Sequence, residues 1–155
     1  MKNPVTMDRF VFAGKHPAVF TGLVTAGGLI AYFLVMRAAG LVQVTELRLF
    51  NFVILFAGVW WSMKRETAGA EKDHSYFSTL GNGCAVVITA VAFFSLFILF
   101  YLNFDNEAME QIREHAAAGR ILTPEMAAIA VFAEGLSSGI VMAYVFLSYL
   151  RLKQN

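Results

Sequence analysis

The chain has 155 residues and a formal net charge of +1; 58% of its residues are hydrophobic and 15% are charged. A soluble domain carries about a quarter charged residues, and here the charges are also segregated: four segments totalling 90 residues hold 1 of the 23 charges. This composition excludes a soluble enzyme and a disordered chain. The absence of a Lys/Arg cluster able to hold a phosphate backbone excludes a nucleic-acid-binding module.

Residues 1–16 are mixed. Met7, Phe10, Val11 and Gly14 share one helical face while Asp8, Arg9 and Lys15 point elsewhere, a spacing that suits either a short helix in the membrane interface or a frayed terminus. Pro17–Met36 is the first charge-free run, 20 residues long. That exceeds the roughly 7–15 residue core of a signal peptide, so a retained membrane helix is expected over 17–37. Pro17 suits a first helical turn, where its missing N–H has no partner to lose, and Gly40 marks the following turn. A second helix is expected over 45–63, capped by Thr45 with Glu46 in its first turn. Its charge-free part is Leu49–Met63, and Lys64–His74 reads as a polar loop.

Ser75–Phe104 is a 30-residue run without charge. As one helix it would measure about 45 Å at 1.5 Å per residue, longer than the roughly 30 Å hydrocarbon core. The crossing is therefore expected over 83–103, with the polar start of the run lying at the surface. Cys84 sits there as the chain's one cysteine. No intrachain disulfide is possible, and a thiol among Val, Ile and Ala acts as a small apolar side chain. Asp105–Glu125 is the longest polar segment. Asp105 or Asn106 can cap an amphipathic helix over 106–118, with Ala108, Met109, Ile112 and Ala116 on its apolar face and Gly119 placed to end it. Thr123-Pro124-Glu125 then reads as cap, first-turn proline and first-turn acid, opening a last crossing over 124–150.

Four crossings put eight Lys/Arg on one side (Lys2, Arg9, Lys15, Lys64, Arg65, Lys72, Arg151 and Lys153) and four on the other (Arg37, Arg48, Arg113 and Arg120). The positive-inside rule then places both termini in the cytoplasm. Trp60, Trp61 and Tyr149 fall at the expected inner interface and Tyr101 at the outer one. The expected fold is all-α, a single integral-membrane four-helix bundle over residues 1–155 with a short amphipathic helix in the outer loop, and no paired broken helices of the inverted-repeat kind.

The layout resembles an uncharacterised family of small four-helix inner-membrane proteins of Bacteroidetes, the domain of unknown function numbered 4199. Three stretches carry the resemblance: the basic loop in WWSMKRETAGAEKDHSYFSTLGNG, the aromatic-Asn-Phe-Asp run in FYLNFDNEAMEQI, and the polar loop before Thr123-Pro124. Asn106 stands where that family often has proline. The resemblance implies a bacterial inner-membrane location and no activity, cofactor or catalytic residue.

Glu134 is the sharpest chemical feature. It lies about ten residues, or roughly 15 Å, into the last crossing, where Asp, Lys or Arg costs about 2.5–3.5 kcal/mol on insertion scales. Such a group is expected to be buried between helices, largely protonated, and hydrogen-bonded to another helix, with Ser137 and Ser138 one turn on and Thr25 of the first helix as a candidate acceptor surface. It reads either as a proton or cation site or as a packing hydrogen bond. Gly135 and Gly139 open room for a close neighbour, and Gly22, Ala26 and Gly28 beside the Thr21, Thr25 and Tyr32 stripe read as a helix-packing seam. Phe93, Phe94, Phe97, Phe100 and Phe104 cannot all face inward from one helix, so some meet lipid or protein. His16, His74 and His115 lie outside the crossings, and no zinc, nucleotide or Ser-His-Asp pattern is present.

These features make a structural or accessory subunit the first expectation, acting through helix contacts as part of a homo- or hetero-oligomer in the lipid bilayer. It would be neither an enzyme nor a cofactor or metal carrier. The alternative is a small proton- or ion-linked transporter or channel that uses the carboxylate of Glu134.

Overall fold

The computed structural model describes residues 17–40, 45–69, 76–115 and 119–152; the interfacial helix considered for residues 1–16 lies outside them. All the described elements are helical: α1 (Pro17–Ala38), α2 (Thr45–Gly69), α3 (Tyr76–Phe104), α4 (Asn106–His115) and α5 (Pro124–Leu152), with a 3-10 turn at Gly119–Ile121 before α5. The ends follow local chemistry. Gly40 (φ 69°) and Gly119 (φ 53°) adopt left-handed backbone after α1 and after the α4 segment, which glycine accepts at no steric cost. The Ala108 N–H donates to Asp105 Oδ1 at 2.9 Å, and the Met126 N–H to Thr123 Oγ1 at 3.3 Å, so both residues cap the helices they precede.

Two boundaries differ from the sequence expectation. The loop expected at Lys64 is helix as far as Gly69. Polarity ends an apolar run, but Met, Lys, Arg, Glu and Ala are all good helix formers, so the helix outlasts the run. Likewise the polar segment expected at the surface before Gly83 is the first part of α3, which is continuous from Tyr76.

Contacts between side chains set the register. Thr25 lies against Gly58, Gly28 against Ile54, and Tyr32 stacks near Phe50 at 6.1 Å, so α1 and α2 run antiparallel. Gly83, Val87 and Val91 of α3 meet Ala143, Gly139 and Gly135 of α5 in descending order, again antiparallel. Phe33 packs edge-on to Tyr101 and Phe97 while Gly22 lies on Thr89, so α1 and α3 are parallel. α3 touches α1, α2 and α5, and α2 also contacts α1 and α5. One core cluster gathers Leu55, Val59, Met63, Val86, Val87, Ala143 and Phe146. A second gathers Leu29, Phe94, Ile98 and Leu102 with Ala108 and Met109 of α4, which folds its apolar face onto that end.

Three helices are long and apolar enough to cross a membrane: Pro17–Ala38, Phe77–Phe104 and Pro124–Leu150. α2 is not among them. Its charge-free run of 15 residues falls short of the roughly 17–25 that span a bilayer. On α3, Phe94 is buried and Phe97 half-buried, whereas Phe93, Phe100 and Phe104 are exposed.

Candidate functional site

Glu134 is exposed, not buried between helices as its sequence position suggested. The Ser137 and Ser138 hydroxyls donate to its main-chain carbonyl at 3.1 and 2.7 Å, closing back onto α5, and among the described residues no hydrogen bond reaches the carboxylate. Thr25 is not its partner. The Thr25 hydroxyl is buried against Gly58 of α2 and donates to the Thr21 carbonyl at 2.8 Å. The reason is rotational. Gly135 and Gly139 face α3, with Val91 Cγ1 2.9 Å from where a Cβ at 135 would stand and Val87 Cγ1 closer still at 139. Turning those glycines inward carries residue 134, about 100° away on the helix, toward the flank of α5.

On that flank lies a cavity of about 360 Å³. Leu29 and Phe33 of α1, Leu55 of α2, Phe94 and Ile98 of α3 and Val131 of α5 form apolar walls, and Ile112 and Leu122 close the α4 end. The cavity exists because α2 and α5 meet at their other end, where Phe56 and Trp60 pack against Phe146 at 4.4 and 5.1 Å and Trp60 lies 5.9 Å from Tyr149. The small residues of α5 draw its opposite half onto α3, leaving a gap beside α2. Two oxygen-bearing side chains reach this space: Glu134 at the edge and Asn51, whose Oδ1 is buried and accepts no hydrogen bond.

Beyond the closed end sits a polar cluster that the sequence reading did not assemble. Arg37 donates through Nε to the Tyr101 hydroxyl (3.1 Å), through Nη1 to Gln111 Oε1 (3.1 Å) and through Nη2 to Asp105 Oδ2 (3.0 Å). The Tyr101 hydroxyl also donates to Asp105 Oδ2 at 2.8 Å. The Ala108 N–H and then the Tyr101 hydroxyl hold the Asp105 carboxyl below the usual carboxylate range, and Arg37 adds to the effect. Arg113 ties α4 to the start of α5, donating through Nε to the Leu122 carbonyl at 2.9 Å. The Tyr101–Asp105 spacing of i, i+4 was the one sequence signal for this cluster.

The remaining packing residues fall on two seams. Gly22 and Ala26 are buried, Gly22 against Thr89 of α3, and Gly28 faces Ile54 of α2. Among the described residues, no three of His, Cys, Asp and Glu come together as a group that could hold a metal ion. Comparison of the chain with protein-family models, with curated proteins and with solved structures finds no match.

Proposed function

We propose that this chain is a multi-pass protein of the bacterial inner membrane, a four-helix bundle with both termini cytoplasmic. In this reading it is not an enzyme but a structural or accessory subunit that docks a partner helix on the outward face of α5. One observation carries the reading. Ala130, Ala133, Glu134, Ser137 and Val141 form an exposed stripe along a membrane-length helix. Only 17% of the most apolar stretch of α5 is buried, against 44% for α3. Small residues admit a second helix closely, and an intramembrane acid is costly against lipid but not against a donor on another chain. The packing of α2 against α1, α3 and α5 supports its lying in the bilayer with them, its polar positions shielded by its neighbours. The resemblance to the Bacteroidetes four-helix family points the same way. Cysteines placed at Ala133 or Ser137 in a Cys84→Ser background should crosslink to a second chain in cells. The same change at Val24, exposed on α1, should not. A strictly monomeric particle with no crosslinked chain rejects this reading.

A second reading, a small proton- or ion-linked transporter or channel, is favoured by Glu134 and Asn51 reaching one cavity. Reconstituted vesicles would then show a flux that Glu134→Gln abolishes. A wild-type flux equal to that of empty vesicles rejects it.

A further inference from the structure

We propose that the cavity between α2 and α5 is a binding site for a lipophilic amine, with the hydrocarbon body among Leu29, Phe33, Phe94 and Ile98 and the ammonium head at Asn51 and Glu134. The walls are apolar, so the body of the ligand must be apolar too. The volume of about 360 Å³ is roughly twice that of an engineered apolar cavity of about 150 Å³ that takes up benzene, so a chain of about ten carbons is a sensible probe. The head follows from the two oxygens. Asn51 Oδ1 is buried without a donor, an arrangement that costs free energy until a donor arrives. Glu134 brings the one acidic side chain lining the cavity, and no Lys or Arg lines it. The nearest described cation of the α4 end, Arg37, is already shared among Tyr101, Gln111 and Asp105. An anionic head would therefore meet a carboxylate with nothing to neutralise it, whereas an ammonium can donate to both oxygens at once. A neutral hydroxyl satisfies one acceptor without the charge complement, so it should rank between the two.

This inference goes beyond the docking of a partner on α5 and can fail without it, because Asn51 faces the cavity whereas Ala133 and Ser137 lie on the outward stripe. The test uses the full chain in maltoside micelles. Native mass spectrometry and thermal melting follow decylamine, decanol and decanoate at neutral pH. Decylamine should give half-maximal adduct at a concentration at least about tenfold below that for decanoate, with decanol between. Glu134→Gln should bring decylamine to the level of decanol. Asn51→Leu should weaken both at least about fivefold. Ala130→Phe, which places a ring in the cavity from an exposed backbone position, should remove the adducts, and Ala127→Phe serves as a second filling variant. Ala133→Phe should leave them unchanged. Equal binding of all three heads marks a gap filled by any acyl chain and overturns the proposal. So does tightest binding of decanoate, or adducts that survive both filling substitutions in folded protein.

Discussion

Arg37 Nη2, in the last turn of α1, lies 3.0 Å from Asp105 Oδ2, the residue between α3 and α4. The same aspartate uses Oδ1 to cap α4. One carboxylate thus fixes where α4 begins and which way it folds over the bundle end, and that roof closes the cavity. The guanidinium is held on three sides, so it orients Tyr101 and Gln111 as well.

Asp105 should make the stability of this end pH-dependent. Its carboxyl is held below the ordinary value of 3.8, so the folded state favours the charged form. The stability it contributes is complete above that ordinary value and is lost as pH falls through the lower folded value. Melting midpoints should rank wild type above Asp105→Asn, which keeps a capping oxygen, and Asp105→Asn above Asp105→Ala. The gap between wild type and Asp105→Asn should close between about pH 6 and about pH 3. A gap that is constant with pH would assign the effect to the cap alone.

Two glycine substitutions should have opposite signs. A Cβ at Gly27 meets nothing within 4 Å, and Ala is better in a helix than Gly by up to about 1 kcal/mol, so Gly27→Ala should be neutral or stabilising. A Cβ at Gly139 runs into the branched side chain of Val87, so Gly139→Ala should cost about 1–3 kcal/mol. Val87→Ala in the same chain should recover much of that cost, a coupling that a double-mutant cycle in detergent unfolding measures directly.

Because Glu134 is exposed and its carboxylate has no bond within the chain among the described residues, Glu134→Leu should not loosen the isolated bundle. Its effect should fall on association. Loss of one interhelical hydrogen bond of about 1–2 kcal/mol weakens a complex by about 5- to 30-fold, read by crosslinking yield or dilution sizing. A drop in monomer stability of the same size, with association intact, would return the residue to an internal packing role.

Topology distinguishes four crossings from three. In a Cys84→Ser background, Lys64→Cys and Glu110→Cys, both at exposed positions, should label with an impermeant thiol reagent from opposite sides, with Glu110→Cys reached from outside. A reporter fused after Asn155 should signal cytoplasm. A C-terminal reporter that signals the outer side would place α2 on the membrane surface and leave three crossings.

Much of this protein was legible in its residues because the determining chemistry is local. Charge-free runs of 20 and 30 residues specify membrane-length helices wherever they sit. Pro17, Thr45, Asp105, Thr123-Pro124, Gly40 and Gly119 punctuate helices through bonds and dihedrals within a few residues of themselves. The extension of α2 to Gly69 and the early start of α3 at Tyr76 escaped that reading because hydropathy marks where apolar solvent ends, and a helix needs no apolar solvent to continue.

The rotation of each helix was decided only in the tertiary structure. Depth along α5 follows from counting residues, but whether Glu134 points inward depends on which neighbour the glycines admit. Gly135 and Gly139 let Val91 and Val87 of α3 approach, and that contact turns the acid outward to the edge of a gap bounded by Asn51. The same dependence on rotation brought Arg37 to Asp105 across 68 residues of chain, and it separated Thr25 from Glu134. A sequence specifies which faces are small, apolar or polar; which face meets which is settled by packing all the helices at once.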